Sequence, residues 1–561
     1  MKAAFLFLLL VLGGAGTIGA QTPWVQALSG GAQSSAATIA VDANDNSYVG
    51  GNFTGTVTIG GTVLQSATTT SFGAYLAKFS PQGALLWVRQ ATVPGSYSRV
   101  GIESVTVDAS GNVIVGGTFS GGAWTLGTVT LPAHPAGVLY SQGFVAKLDA
   151  SGTTSWARAA VDAGLQGTIG AIAVDASGTV YAAGSFNGSN SSYASAFIQK
   201  YTAGGVAQAI AANTMPGGTG SITISGLAVS ANGQQLALAG WLLGGSVTLQ
   251  AATGSIPALV VSSLGSSSSV GFVAGYTSAG VGQWVQTLAS GSASRARLLR
   301  VVAAGSDFLA CGSYTGTATI GTAPVLSVPG SATYSSGLVA RFDGQGAVQW
   351  VRGIQGNNYI EAFDIAADAN GNAYVAGSFG GQLAATAGSL SSAGGFDPYL
   401  LAYSPQGGLL SAQRDGGSGE EFFTAVALTA AGQPRVAGYY TFGVGRIAGV
   451  SLPVVSSNTA FVARLATTVL ATASANSTAS FTVFPVPARS GQIWQLTIAP
   501  ALAASGGVVR VLDMMGREVR RQALPARETA VGVPTAGLAP GHYLLQVLGS
   551  NGLSVHGVLV E

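Results

Sequence analysis

Three histidines (His134, His542 and His556), one cysteine (Cys311) and 20 acidic residues are all that this 561-residue chain offers for hydrolytic or metal-dependent chemistry. None of them stands at the close Cys or His spacings of a zinc site. Glu420-Glu421 is the one adjacent carboxylate pair. Acid–base catalysis needs two carboxyls facing one bond, and neighbours on a strand point to opposite faces, so the pair reads as a solvated loop. A recurring aspartate, at Asp42, Asp108, Asp175 and Asp368, suggests calcium loops, and Asp42, Asn44 and Asn46 have the right alternation. No Glu closes that loop at the expected distance, and a carboxylate capping its own turn explains the other copies. The expectation is no metal, no cofactor and no catalytic residue.

For binding, the candidates are Arg89, Arg158, Arg352 and Arg414. They follow the tryptophan strand position at matching places in four copies of a unit that recurs seven times, so they could line one face. The unit's first strand alternates, as in Val105/Val107 and Ile172/Val174, with one side toward a core. A turn such as Asp108-Ala109-Ser110-Gly111-Asn112 follows, where Asp accepts backbone N–H groups and Gly supplies positive φ. Second strands end in Gly51, Gly117, Gly184, Gly240, Gly312, Gly377 and Gly438, with an aromatic two residues later in six units. Glycine beside an aromatic points to close approach between neighbouring sheets, the ring covering the gap. Third strands run as Phe144 to Leu148 and Phe461 to Leu465, and fourth strands carry Trp87, Trp156, Trp284 and Trp350. Cys311 occupies the place of Gly50, Gly116, Ala183, Ala239, Ala376 and Ala437, so it reads as a small buried residue.

The array is out of step with the chain. It opens on a tryptophan strand, Trp24 to Leu28, and stops after Phe461 to Leu465 with no tryptophan strand behind it. Four short strands per unit, radially repeated, are the signature of a propeller, and pairing the first strand into the last sheet removes an open edge. The expected fold is all-β: a seven-bladed β-propeller with the N-terminal strand closing the last blade, followed by a small Ig-like β-sandwich.

Ile172-Ala173-Val174-Asp175-Ala176-Ser177-Gly178 and Asn372-Ala373-Tyr374-Val375-Ala376-Gly377-Ser378-Phe379 resemble the bacterial β-propeller repeat known as SBBP, over residues 21–466. That family brings no shared catalytic residues. Asp149 to Trp156 and Asp343 to Trp350 superficially resemble a sialidase Asp box, but each interval carries an extra residue. They read as the hairpin between third and fourth strands.

Residues 1–20 have the layout of a secretory signal, with Lys2, an apolar core from Ala3 to Leu12 and a small-residue exit ending at Ala20. Residues 467–479 are an Ala/Ser/Thr-rich linker. Residues 480–561 carry Pro485 and Pro487, Asp513, Gly516 and Arg517 in one turn, and Gly541 and Tyr543 in a strand. These motifs resemble the C-terminal sorting domain of type IX secretion cargo in Bacteroidetes-type bacteria. Val486 stands where that family usually has Asn, and the chain ends Val560-Glu561 where a basic residue is common. The resemblance implies export through the type IX machinery, then release or attachment at the cell surface.

With 22 basic against 20 acidic residues, nothing favours nucleic acid, and beyond the leader the apolar runs are too short for a transmembrane helix. The expectation is a secreted or surface-attached, non-enzymatic binding or scaffold protein whose ligand is a protein or glycan. Alternatives are a structural surface-layer or gliding-related protein, or a glycan-acting enzyme using a central funnel.

Overall fold

The computed structural model describes residues 23–30, 33–134, 140–160, 166–187, 194–210, 219–250, 259–263, 268–290, 295–321, 323, 326–327, 334–385, 388–465, 481–503, 506–513, 518–549 and 552–561. The leader and linker expected at 1–20 and 467–479 lie outside these residues, as do Gly516 and Arg517. Among the described residues the protein is all-β apart from one helical turn, Pro500–Ala503.

Antiparallel sheets follow one another with the expected strand order. The first contains Ser34–Val41, Ser47–Thr54, Phe72–Phe79 and Leu85–Thr92. Arg99–Val107, Val113–Ser120, Gln142–Leu148 and Thr154–Ala159 form the second. The next begin at Gln166–Val174, Ser221–Val229, Ala296–Ala304 and Ile360–Ala367. The last takes Glu420–Leu428, Pro434–Thr441 and Thr459–Arg464 from the end of the repeat region, and its fourth strand, Trp24–Ala27, from the start of the chain. Trp24 lies opposite Arg464 and Ala27 opposite Phe461. The first strand of each sheet packs on the first strand of the next, and Glu420–Leu428 packs on Ser34–Val41.

Every first strand carries a register shift at the same place, for example between Ala36 and Thr38 and between Ala362 and Asp364. The repeated glycine sits opposite that bulge. A Cβ on Gly51 would lie 2.0 Å from Ser35 O, and one on Gly377 would lie 2.0 Å from Glu361 O. The close approach at this glycine is therefore within one sheet, which corrects the expectation of an inter-sheet gap. The cross-strand aromatic covers the same carbonyl: Tyr75 donates its hydroxyl to Ser35 O and Tyr399 to Glu361 O. Neighbouring sheets meet at the preceding position instead. There a Cβ on Gly50 would lie 2.5 Å from the Ile102 side chain, and Cys311 Sγ lies 3.7 Å from Ala362 O. Cys311 is buried, as its repeat position implies.

In the C-terminal region, Phe481–Phe484, Ile493–Ile498 and Ala530–Pro534 form one sheet. Glu518–Leu524, Gly507–Asp513, Gly541–Gly549 and Gly552–Val560 form another. Trp494, Leu496 and Val533 of the first share one hydrophobic cluster with Val509, Val511, Leu545 and Val558 of the second.

The two small-residue positions predict opposite tolerances. Gly117→Ala, whose Cβ would lie 2.0 Å from Gly101 O, should destabilise by about 3 kcal/mol or more in denaturant unfolding. Cys311→Ala, matching Ala376 of the next sheet, should cost about 1 kcal/mol or less.

Candidate functional site

The recurring aspartates are turn caps. Asp42 Oδ1 accepts the N–H groups of Asn44 and Asn46, both at 2.9 Å. Asp108, Asp175 and Asp368 repeat the pattern. Asp149 and Asp343 do the same in the hairpins between third and fourth strands.

Those hairpins receive the tryptophan strands of the preceding sheet. Trp24 Nε1 donates to Pro81 O, Trp87 to Ala150 O, Trp156 to Ala203 O, Trp284 to Gly344 O and Trp350 to Pro405 O. Each indole lies flat against a positive-φ glycine in the turn: Gly83, Gly152, Gly205, Gly346 and Gly407. A Cβ on Gly83 would be 2.5 Å from the Trp24 ring, so only glycine admits it.

The same clasp occupies three of the four candidate arginines. Arg89 Nε donates to Gly152 O at 2.8 Å, Arg158 Nε to Gly205 O at 3.0 Å and Arg352 Nε to Gly407 O at 2.8 Å. Each guanidinium also lies over its own sheet's tryptophan. Arg414 follows no tryptophan and pairs with Asp397 at 2.5 Å. Arg89, Arg158 and Arg352 share one register position, opposite Leu76, Val145 and Val339, whereas Arg414 lies opposite Tyr399, one residue further along, and Gln413 holds the shared place; this corrects the expectation of four matching arginines.

Three features of the site gave no periodic signal. The first is a cavity of about 230 Å³ where the first and second sheets meet, lined by Asn52, Phe72, Arg99, Glu103, Thr118 and Ser120 among others. Arg99 lies 5.3 Å above the Phe72 ring. Among the described residues neither the Arg99 nor the Glu103 side chain has a hydrogen-bond or ion-pair partner, while the Arg99 backbone pairs with Ser120 in the ladder. Burial raises the Glu103 carboxyl above its ordinary range, opposed by Arg300 from a sheet three further along. Glu103 is the extra residue of its strand's bulge, where other sheets have Ala37, Gly170, Ser225 and Leu299.

The second feature is a polar belt along the first strands. Arg300 pairs with Asp364 at 3.6 Å and donates to Ser225 O. Asp364 accepts Val426 N–H, Thr38 accepts Val105 N–H and Ser104 accepts Ile172 N–H. These bonds run from one sheet to another and satisfy backbone groups that the bulges release.

The third corrects the expectation for Glu420-Glu421. Their side chains do face apart, but Glu421 is fully buried, beside Asp397 and Asp415. Glu421 Oε2 accepts Gly417 N–H at 3.1 Å, while Glu421 Oε1 and Asp397 Oδ1 have no partner. Burial, then the charges of Asp397 and Asp415, push Glu421 up to about 7 against the pull of Gly417 N–H and Arg414. Asp415, also raised by burial, caps Ala448 N–H. Among the described residues no group of three or more His, Cys, Asp or Glu is arranged to hold a metal ion. His134 is buried and stacks on Tyr140.

In the C-terminal region, Pro485 and Pro487 lie beside exposed Phe484 and Val486. Asp513 pairs across strands with Tyr543, whose hydroxyl donates to Ala539 O at 2.7 Å. Gly541 opens the same strand as Tyr543. No helix among the described residues is long and apolar enough to cross a membrane.

No family model matches the chain, and no curated protein matches it. Among solved structures it is similar to a protein of unknown function from Dyadobacter fermentans, at 8% identity and a TM-score of 0.36, covering 79% of this chain and 98% of that one. Puromycin hydrolase is similar at 11% identity and a TM-score of 0.38, covering 84% of this chain and 59% of that one. A GH74 xyloglucanase from Xanthomonas campestris is similar at 10% identity and 0.29, covering 95% and 87%.

The buried acid cluster fixes a pH dependence. Glu421 folded holds its proton up to about pH 7, whereas its ordinary value is 4.5. Between those values the folded state binds more protons than the unfolded one, so this group lowers stability as pH rises. Glu421→Gln should remove that decline, gaining about 1–3 kcal/mol over wild type at about pH 8 and little at about pH 4 in denaturant titrations.

Proposed function

We propose that the repeat region is a seven-bladed β-propeller closed by Trp24–Ala27, and that it is a non-enzymatic module binding a glycan or a protein segment. The observation that carries this reading is the cavity at Arg99 and Glu103. It offers an unpaired cation, a carboxylate, an amide, hydroxyls and the Phe72 ring within one concave surface. That is the equipment for orienting a polar ligand by hydrogen bonds and stacking, as binding pockets do with a few convergent polar groups. The other aspartates and arginines singled out by the repeat are engaged in turns and clasps, which supports a scaffold over a catalyst.

The two-sheet C-terminal region, read as an Ig-like sandwich, we assign to sorting by the type IX machinery. Its order of proline pair, Asp513 turn and Gly541/Tyr543 strand supports this. The protein would then be secreted and either released or held at the outer surface.

A glycan array and a pull-down with the purified protein, wild type against Arg99→Ala and Glu103→Gln, test the binding reading. Specific binding that weakens about tenfold in either variant, without turnover of the bound glycan, is expected. Turnover would make the protein an enzyme, and self-association alone would favour a structural layer. In the same strain, deletion of residues 480–561 should leave the protein in the periplasm; normal export would refute the sorting assignment.

A further inference from the structure

The last sheet departs from its siblings at a charged position. In the first, second and fifth sheets a third-strand cation pairs with a carboxylate at the end of its own sheet: Lys78 with Asp42 at 3.6 Å, Lys147 with Asp108 at 2.8 Å and Arg341 with Asp307 at 2.8 Å. Arg464 is the corresponding cation of the last sheet, but the turn residue there is Thr429. Thr429 closes the same turn, donating its N–H to Gln433 O as Asp42 does to Asn46 O, yet brings no charge.

The imbalance is doubled across the strand. Arg435 stands opposite Arg464, where the first, third and sixth sheets have Tyr48, Tyr181 and Tyr374 and the second, fourth and fifth have Ile114, Ala237 and Leu309. Arg435 is fully buried and Arg464 is 4% exposed. Arg435 Nε and Nη2 have no hydrogen-bond partner, and Arg464 has Gln433 Oε1 at 2.9 Å. Burial, then the neighbouring Arg464, push Arg435 down to about 10. Asp45, from the turn of the first sheet, acts on both arginines electrostatically without an ion pair to either. Two cations and one distant carboxylate leave one positive charge and a set of buried donors unmatched. A buried guanidinium in that state is costly unless an anion completes it.

We propose that Arg435 and Arg464 form a binding site for a small carboxylate monoanion, seated beneath the turn at residues 429–433. A carboxylate rather than a sulfate fits, because the first and second sheets fill the equivalent place with the side chains of Asp42 and Asp108 and because one unit of charge is unmatched. The planar guanidinium fork matches a carboxylate's two oxygens. The site lies in the last sheet, apart from the Arg99 cavity, and stands or falls independently of it.

Thermal unfolding of the purified full chain in sodium acetate, with ionic strength held constant by sodium chloride, tests this. A ligand that binds only the folded state raises the melting temperature in a saturable way. The expected result is such a rise with acetate. Thr429→Asp, which supplies the sibling carboxylate, should melt higher than wild type without acetate and lose the acetate response. Arg464→Gln should need about tenfold more acetate for the same shift. No saturable rise, or an undiminished rise in Thr429→Asp, would overturn the site. A rise with sodium sulfate but not acetate would overturn the carboxylate assignment.

Discussion

A row of packed sheets has two ends, and each end exposes an apolar face and an unpaired strand edge. Here both are met by one interaction, the pairing of Trp24–Ala27 with Thr459–Arg464 in the same sheet as Glu420–Leu428 and Pro434–Thr441. Because Glu420–Leu428 also packs on Ser34–Val41, the last sheet is joined to the first both by contact and by the covalent chain. The chain has one cysteine, so no internal disulfide can contribute to this join. Its cohesion has to come from sheet pairing, burial and the clasps between sheets.

The tryptophan clasps follow from the same constraint. An indole needs a hairpin in the next sheet to receive it, with a glycine to lie against and a carbonyl to accept its N–H. The fourth strand Leu409–Arg414 has no tryptophan, and the sheet that follows it has no hairpin between third and fourth strands, because these are Thr459–Arg464 and Trp24–Ala27, from opposite ends of the repeat region. Gln413 holds the register place of the clasping arginines in that strand, and Arg414, one residue on, pairs with Asp397. The two-residue strand Ala207–Gln208 also lacks tryptophan, although the following sheet does have its hairpin; the structure offers no reason for that loss.

Much of this was legible in the sequence because it repeats. Strand order, turn-capping aspartates and the burial of Cys311 are each written several times over, so the period exposes them. The repeated glycines were equally visible, but their cause was not. Periodicity cannot tell a bulge carbonyl in the same sheet from a side chain in the next. Residues that differ between copies carried the rest, and local rules misjudged them. Glu421 was placed in solvent because Asp397 and Asp415 reach it only through folding. Arg99 and Glu103 meet Asn52 and Phe72 across two sheets. The usable signal at such sites is the exception to the repeat: a carboxylate at Glu103 where other copies have small or apolar residues, or arginine at Arg435 where they have tyrosine or an apolar residue.

The central claim is that the first strand of the chain completes the last sheet, and hydrogen exchange tests it most directly. In the native protein the amides of residues 24–27 should be protected to a degree similar to those of residues 459–464, because the two strands open together. Exchange of residues 24–27 at the rate of a free N-terminal arm, with residues 459–464 still protected, would contradict the account.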